Sequence, residues 1–294
     1  MKILITGSEG FIGNAFIQKY QKDYQILSLS RNFKENNPNS FAIDLSDGNL
    51  SQLPKDIDTI VHLASQQPSS NLIKWEDFYK NNVVSTMRLW EYAKEIQVRK
   101  FIYISTTSLF NDSSPKIKLN EDSLASPLTE YGLSKFLSEK LLMMMSKNSD
   151  FVTSILRFPS VFGRNQKGGL IKTFYDLAKE NKTIDVFNNG QIYRNLLYIN
   201  DAIGSIERSI KHDSLEKFSI YMIGSSDSIK SKEIVKHIVK LTSSKSDINL
   251  IDKPSPVDSD IFIDMAKSIE ELKFKPSTIE HGLKCFIDEM KYEI

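Results

Sequence analysis

Residues 2–13 read KILITGSEGFIG, and this stretch decides the fold. Its first half, KILIT, is a short apolar run typical of a buried strand, and apolar residues recur at helical spacing from Ile12 onward. Gly7, Gly10 and Gly13 lie between the two elements. A tight turn into a helix N-terminus brings backbone N–H groups and partial positive charge to a pyrophosphate, so this spacing predicts a dinucleotide site. An ordinary strand–helix turn is the alternative, because turns use Gly freely.

Strand and helix patterns alternate along the first part of the chain. The predicted strands there are 2–6, 25–30, 41–44, 59–64, 100–105 and 151–158. This alternation predicts a Rossmann-type α/β fold, a doubly wound parallel sheet with helices on both faces. We expect a dinucleotide-binding domain over 1–165 that also takes segments near 192–222. A smaller C-terminal lobe, mainly 166–294, would close over the substrate.

Helices are predicted from apolar residues at helical spacing. In the segment 76–96, Val83, Met87 and Trp90 share one face. The predicted helices are 12–20, 76–96, 131–146, 168–180, 201–211, 231–242 and 277–291, and short strands are predicted at 183–187, 195–199, 218–224 and 247–251.

The composition excludes several classes of function. The 38 basic and 37 acidic side chains leave a net charge of +1, too little to attract nucleic acid or an anionic membrane. Cys285 is the single cysteine, which excludes an internal disulfide and fits a reducing compartment. We expect a cytoplasmic protein, because apolar windows are too short for a membrane span and the N-terminus lacks a signal-peptide pattern. The four scattered histidines predict no metal site, and His62 is expected to be a satisfied core histidine.

The candidate catalytic residues lie on one predicted helix and one strand end. Tyr131 and Lys135 are four residues apart and so share a helix face, while Thr106 follows the strand 100–105 at the edge where ligands bind. A free Tyr titrates near ~10, and an ammonium ~4 Å away is worth up to ~4 kcal/mol at an effective dielectric of ~20. We therefore predict that Lys135 brings the pKa of Tyr131 to about 7, as a general acid–base requires, and that Thr106 holds the substrate oxygen. A surface pair on an amphipathic helix is the alternative.

The end of the second predicted strand bears on the choice of cofactor. A NAD site of this type expects a carboxylate about 20 residues after the glycines, to accept from the ribose 2′-hydroxyl. Arg31 follows that strand instead, and a guanidinium pairs with a 2′-phosphate, so NADP is predicted with NAD as the alternative. Asp44, at the end of the third strand, would accept from the adenine amino group; a solvated turn residue is the competing interpretation.

Several segments together resemble the extended short-chain dehydrogenase/reductases, the nucleotide-sugar epimerase/dehydratase group. The resemblance runs from about residue 1 to 225 and more faintly to 285. The matching segments are TGSEGFIG (6–13), HLA (62–64), FYKNNV (78–83), FIYISTTSLF (101–110), YGLSK (131–135), LRFPSVFG (156–163) and GQIYRNLLYINDAI (190–203).

The resemblance implies roles for individual residues. It implies Thr106, Tyr131 and Lys135 as the catalytic set. The cofactor-binding residues would be Gly7, Gly10, Phe11, Ile12, Gly13, Asp44, Leu45, Leu63, Ala64, Asn81, Tyr131, Lys135 and Pro159, and the substrate-binding residues Thr107, Ser160 and Arg194. Arg31, predicted to bind the cofactor from its position alone, departs from the family by replacing the acidic residue typical of NAD-retaining epimerases. Ser160 departs from the family, which usually has Asn there. Thr107 and Ser108 stand where 4,6-dehydratases carry Asp-Glu, so water elimination is not expected.

Three functions are compatible with these residues. The first is a nucleotide-sugar 4-ketoreductase in which NADPH reduces an NDP-4-keto-6-deoxyhexose. The second is a 4-epimerase with tightly bound NAD. The third is a non-catalytic NADP-binding regulator, against which the intact Tyr131, Lys135 and Thr106 count.

A homodimer is the expected assembly. The apolar run Leu141–Met145, with Leu137, exceeds what one core face needs, as in relatives that pair helix on helix. Ordinary core packing is the alternative for the same residues.

Overall fold

The computed structural model describes residues 1–32, 38–68, 74–254 and 259–291. The strands are β1 (Lys2–Thr6), β2 (Gln25–Ser30), β3 (Ser40–Ala42), β4 (Thr59–His62), β5 (Lys100–Thr106), β6 (Val152–Phe158), β7 (Ser160–Phe162), β8 (Ile184–Phe187), β9 (Tyr193–Arg194), β10 (Leu196–Tyr198), β11 (Phe218–Met222), β12 (Ile229–Lys230) and β13 (Ile248–Ile251). The helices are α1 (Phe11–Tyr20), α2 (Trp75–Phe78), α3 (Ser85–Glu95), α4 (Glu130–Ser146), α5 (Leu170–Lys179), α6 (Ile199–Lys211), α7 (Ser231–Thr242), α8 (Ala266–Glu270) and α9 (Ile279–Lys291).

Seven strands form one parallel sheet in the order β11-β6-β5-β4-β1-β2-β3. The predicted doubly wound α/β fold is therefore confirmed. The chain leaves β1 toward β2 on one side and later returns to place β4 on the other, so the strand order reverses at β1. Ligands of such sheets bind at the carboxyl ends of the strands beside this switch point.

Successive side chains of β1 enter different hydrophobic layers, as the two-residue period of a strand requires. Ile3 and Ile5 pack in a cluster that includes Phe16 of α1, on one face of the sheet. Leu4 packs in a second cluster that includes Trp90 of α3, on the other face. Both faces of the sheet are thus covered by helices, which holds the ends of its strands in fixed positions.

The predicted helix 76–96 is not α-helical throughout. It comprises α2, a π-helical segment over Tyr79–Val84, and α3. Periodicity could not reveal this, because Val83 and Trp90 are buried as an uninterrupted α-helix would also have them. A π-helical turn adds a residue to the helical repeat and often marks a functional site.

The later part of the chain contributes both to this sheet and to a separate group of elements. β11 lies beside β6 at the edge of the main sheet. Three small two-stranded sheets pair β7 with β10, β9 with β12 and β8 with β13. Helices α5, α7 and α9 share one hydrophobic cluster with β8 and β10. No helix in the described residues has the length and apolarity to cross a bilayer.

Candidate active site

The turn between β1 and α1 has no room for side chains. Gly7 adopts φ +66°, and a Cβ atom there would lie 2.8 Å from the backbone nitrogen of Ala64. A Cβ at Gly13 would collide with the carbonyl oxygen of Gly7. The turn is pinned to β2 because the Gly7 N–H donates to Leu29 O at 2.9 Å. Packing alone therefore requires glycine at both positions, and the N-terminus of α1 is left open as an anion site requires.

A cavity of about 150 Å³ lies beside this turn, at the carboxyl ends of β1, β2 and β4. Its wall is largely polar. Residues from separate segments of the chain that were predicted to bind the cofactor line this one cavity. The lining residues are Gly7, Leu29, Ser30, Arg31, Ile43, Asp44, Leu45, Ala64, Ser65, Gln66, Asn81 and Ser85. These residues suit a dinucleotide. Hydroxyl, amide and carboxylate groups line the cavity, and the glycine turn beside it has no side chains that would keep a phosphate away from the backbone N–H groups. Motif reasoning missed Ser30, Ser65, Gln66 and Ser85, which follow or face the matched segments.

The loop after β3 is held rigidly. The Asp44 carboxylate accepts from Ser46 N at 2.8 Å and from Ser46 Oγ at 2.6 Å. Arg88 of α3 donates to the carbonyl oxygens of Leu45 and Gly48, at 3.0 and 2.7 Å. Partial burial opposes ionisation of Asp44, but the two Ser46 bonds and the nearby cations, Lys80 and Arg31, hold its pKa below the ordinary value. An ionised acceptor is therefore fixed at the cavity wall, as an adenine contact requires.

Asn82, in the π-helical segment, ties three elements together. Its side chain is 1 % exposed. Its Oδ1 accepts from Gln66 N at 2.6 Å, and its Nδ2 donates to Ser134 Oγ of α4 at 2.8 Å. Neighbouring Asn81, predicted to bind the cofactor, lines the cavity. Nothing in the sequence pattern singled out Asn82, because the predicted apolar face of this helix runs through Val83, Met87 and Trp90.

His62 is the satisfied core histidine that the sequence predicted. Thr86 Oγ1 donates to the Asn82 carbonyl. It can then accept from His62 Nε2, 3.0 Å away, and Thr6 Oγ1 donates to Nδ1 at 2.7 Å. Both ring nitrogens are thus occupied in the neutral tautomer, and burial, aided by nearby Lys135, lowers the pKa of His62 to about 3.

Tyr131 lies in the first turn of α4, at the rim of the cleft. The helix start is capped by Thr129, whose side chain accepts from Gly132 N at 3.0 Å. The Tyr131 hydroxyl accepts from Gln67 Nε2 at 3.3 Å. Burial raises the pKa of Tyr131, outweighing the hydrogen bonds of Gln67, Thr106 and Ser65 that lower it. The predicted pKa of about 7 is therefore wrong for this geometry.

The orientation of Lys135 explains the difference. Its side chain is 2 % exposed, and its Nζ lies 4.0 Å from the centroid of the Tyr103 ring on β5. In the described part of the chain no hydrogen bond joins it to Tyr131. Burial lowers the pKa of Lys135 to about 7, against a smaller opposing effect of Glu139. Tyr131 and Lys135 lie four residues apart on α4, but the lysine side chain is directed at the Tyr103 ring of β5 and not at the Tyr131 hydroxyl.

Thr106 ends β5 beside Tyr131. Its Oγ1 accepts from Ser108 N at 3.1 Å and lies 3.1 Å from Ser108 Oγ, whose hydroxyl can donate to it. Thr106 and Thr107 are buried, whereas Ser108 is exposed. The threonine hydroxyl is thus held at the crevice, where its hydrogen bond lowers the pKa of Tyr131.

A buried ion pair sets the rotation of α4. Arg157 Nη2 of β6 lies 2.8 Å from Glu139 Oε2, and the two side chains are 5 % and 3 % exposed. Arg157 also donates to the Glu121 carbonyl at 3.0 Å and lies over the Phe110 ring. Glu139 is one turn beyond Lys135, so the ion pair joins the same face of α4 to β6.

The other residues predicted to bind cofactor or substrate differ in how far they are buried. Phe11, Ile12 and Leu63 are half-buried against the core. Pro159 is buried between β6 and β7. The three predicted substrate residues are on separate segments: Thr107 is buried, Ser160 is exposed in β7, and Arg194 is half-buried in β9 with its Nε donating to Ser231 Oγ at 3.4 Å.

This fold and the cavity beside its glycine turn are those of an NAD-dependent enzyme of the extended short-chain dehydrogenase/reductase kind. The chain belongs to the NAD-dependent epimerase/dehydratase family, whose model matches residues 3–224. That match confirms the resemblance drawn from the motifs.

Individual relatives and solved structures match most of this chain. The uncharacterized UDP-glucose epimerase YtcB of Bacillus subtilis is 26% identical, with 96% of each chain covered. The dTDP-D-glucose 4,6-dehydratase of Dictyostelium discoideum is 28% identical, over 82% of this chain and 62% of that one. The crystal structure of UDP-glucuronic acid 4-epimerase from Bacillus cereus in complex with NAD superposes with a TM-score of 0.85 at 26% identity, covering 99% of both chains. The same epimerase is also known with UDP-glucuronic acid and NAD.

Proposed function

We propose that this enzyme is a nucleotide-sugar 4-epimerase that keeps NAD bound. The observation that carries the proposal is that the Tyr131 hydroxyl interacts with Thr106 and with Ser65 and Gln67 of the loop after β4, whose Ser65 also lines the cavity beside the glycine turn. The similarity to UDP-sugar 4-epimerases supports it, and so favours the second of the three sequence-based functions over the ketoreductase.

The chain's own residues handle the proton. Tyr131 would act as the phenolate, a form that the positive charge of a bound oxidised nicotinamide would favour. In that form it takes the proton of the sugar 4-hydroxyl, and Thr106 holds the same oxygen by a hydrogen bond. The bound dinucleotide supplies the acceptor, and then the donor, of the hydride at C4. Tyr131 returns its proton to the oxygen once the hydride has been replaced from the opposite face. No net oxidation results, so no second substrate is consumed.

Water elimination is not part of this proposal. Thr107 and Ser108 occupy the two positions after the catalytic threonine and carry neither an acid nor a base that titrates near neutral pH. The chain therefore lacks the paired groups that removal of a hydroxyl from the sugar ring would need. Arg194, Ser160 and Thr107 are proposed to bind the nucleotide-sugar, with the Arg194 guanidinium on its diphosphate.

The 4-ketoreductase remains the second candidate, because of one observation. Arg31 lines the cofactor cavity directly after β2, and no carboxylate lies at that strand end within residues 29–32. A guanidinium there favours the 2′-phosphate of NADP. A ketoreductase would use NADPH as a consumed co-substrate.

Cofactor analysis of the purified protein separates the two candidates. We expect denaturation to release about one equivalent of NAD per chain, and UDP-glucose or UDP-glucuronic acid to interconvert with its 4-epimer without added cofactor. Tyr131→Phe and Thr106→Val should abolish the interconversion while still retaining NAD. Release of no dinucleotide, together with stoichiometric NADPH oxidation by a 4-keto nucleotide-sugar, would replace the epimerase with the reductase.

A homodimer is proposed through the outer face of α4. This helix buries small and polar residues such as Ser134 and Ser138 and leaves Met144 58 % and Leu133 39 % exposed. A second copy would cover this face. Light scattering should give twice the chain mass, and Met144→Glu should give the monomer. Leu215→Glu, at a leucine that is fully exposed elsewhere, should leave the dimer intact.

A further inference from the structure

Gln67 makes a contact that no motif indicated. It lies in the loop after β4 and is exposed, yet its Nε2 is 3.3 Å from the hydroxyl oxygen of Tyr131. The two residues are 64 positions apart in the sequence. The bond therefore joins the two sides of the cleft at the reacting oxygen.

Hydrogen bonds from buried Asn82 hold the backbone next to Gln67. Buried Asn82 accepts from Gln66 N at 2.6 Å and donates to Gln66 O at 3.2 Å. The Gln66 side chain in turn donates to the Gln67 carbonyl at 3.2 Å. These bonds hold the loop in one position relative to α4, since Asn82 also donates to Ser134 Oγ.

Among the described residues, the groups that hydrogen-bond the Tyr131 oxygen carry no charge. They are Gln67 and Ser65 from the loop after β4 and Thr106 from β5, while Phe78 of α2 contributes only its ring. The titratable neighbours are Tyr103 on β5 and, on α4 itself, Lys135 and Glu139. Lys135 is turned toward Tyr103, and Glu139 is paired with Arg157.

We propose that Gln67 is a positioning residue whose amide N–H holds the Tyr131 oxygen in the anionic form that accepts the substrate proton. An amide nitrogen only donates, unlike the hydroxyls of Ser65 and Thr106, which both donate and accept. A donated hydrogen bond is stronger to an ionised oxygen than to a neutral one, so Gln67 favours the phenolate. The role in the reaction rests on the proposed epimerase function.

The test compares Gln67→Met, which keeps side-chain length but removes the donor, with Gln67→Glu, which puts a carboxylate there. Gln21→Met is the matched control, because Gln21 is exposed at the far end of α1. We expect the acidic limb of the kcat profile to move up by about 0.5 to 1 pH unit in Gln67→Met and further in Gln67→Glu. At about pH 7, kcat should fall roughly three- to tenfold, with KM changed less than about twofold and the rate recovered at higher pH.

A second measurement needs no substrate. With saturating NAD and tyrosine labelled with ¹³C at Cζ, the Tyr131 resonance is assigned by its loss in Tyr131→Phe and then titrated. The same upward movement in Gln67→Met, absent from Gln21→Met, supports the role of Gln67 even if no epimerase activity is found. An unchanged Tyr131 titration overturns the proposal, as does a fall in kcat that is equal at every pH.

Discussion

The ammonium nitrogen of Lys135 lies 4.0 Å from the centroid of the Tyr103 ring. Lys135 of α4 and Tyr103 of β5 are both buried, and the burial lowers the pKa of Lys135 to about 7. The folded-state pKa therefore lies below that of the unfolded chain. Between about pH 7 and pH 10 the unfolded chain binds more protons, so this lysine makes stability rise with pH across that window.

Lys135→Met should remove the free-energy cost of burying the Lys135 ammonium. With no cofactor added, we expect the variant to exceed the parent in free energy of unfolding by about 2 kcal/mol or more near pH 6, and the gap to close toward about pH 10. Urea unfolding at several pH values measures it. A parent protein that is the more stable of the two near pH 6 would contradict the assignment.

Gly7→Ala should impair both folding and cofactor binding. The φ of +66° and the 2.8 Å approach to Ala64 N predict a destabilisation of about 1–3 kcal/mol. Dinucleotide affinity, measured by calorimetry, should fall at least about tenfold, because the displaced turn carries the phosphate site.

Gly204→Ala is the control for this change. No atom lies within 4 Å of an added Cβ at Gly204, in the interior of α6. It should therefore stabilise the protein by up to about 1 kcal/mol. If Gly7→Ala and Gly204→Ala changed the free energy of unfolding equally, the close approach at Gly7 would not be the cause of the destabilisation.

Arg31→Ala tests the NADP preference, which stays a prediction. Loss of the guanidinium should lower NADP affinity about tenfold or more, because a charge-assisted bond to the 2′-phosphate is removed. NAD affinity should change less than about threefold. Arg99→Ala, just before the amino end of β5, should change neither affinity. Parallel loss of both nucleotides in Arg31→Ala would instead assign Arg31 to the shared part of the site.

Glu139→Gln should be strongly destabilising. It leaves the Arg157 guanidinium unpaired at 5 % exposure, for which about 3–5 kcal/mol is expected. The double change Glu139→Met with Arg157→Met should cost less than the sum of the two single changes, because no charge is stranded. Strict additivity in thermal or urea unfolding would show that the pair is not coupled.

The sheet and the glycine turn were predictable because their signals are local. The strand runs, the period-2 burial of Ile3, Leu4 and Ile5, and the spacing of the glycines all lie within short windows. The family match likewise rests on contiguous motifs.

Contacts between distant segments were not predictable in the same way. The i, i+4 spacing places Tyr131 and Lys135 on one face but does not say how deep each side chain reaches, so the pKa of Tyr131 was mispredicted. The Gln67–Tyr131 bond depends on the path of the loop after β4, which no periodicity records. The π-helical turn at Tyr79–Val84 leaves the apolar pattern almost unchanged.

The pairing of β11 with β6 has a consequence for how the protein is made. During synthesis, one side of β6 keeps its N–H and C=O groups unpaired until residues 218–222 leave the ribosome, some sixty positions later. A polypeptide cut near residue 165 would present that row permanently to other nascent chains. We expect such a truncated product to accumulate as insoluble aggregate, although every residue of the glycine turn and of the Tyr/Lys/Thr set is retained.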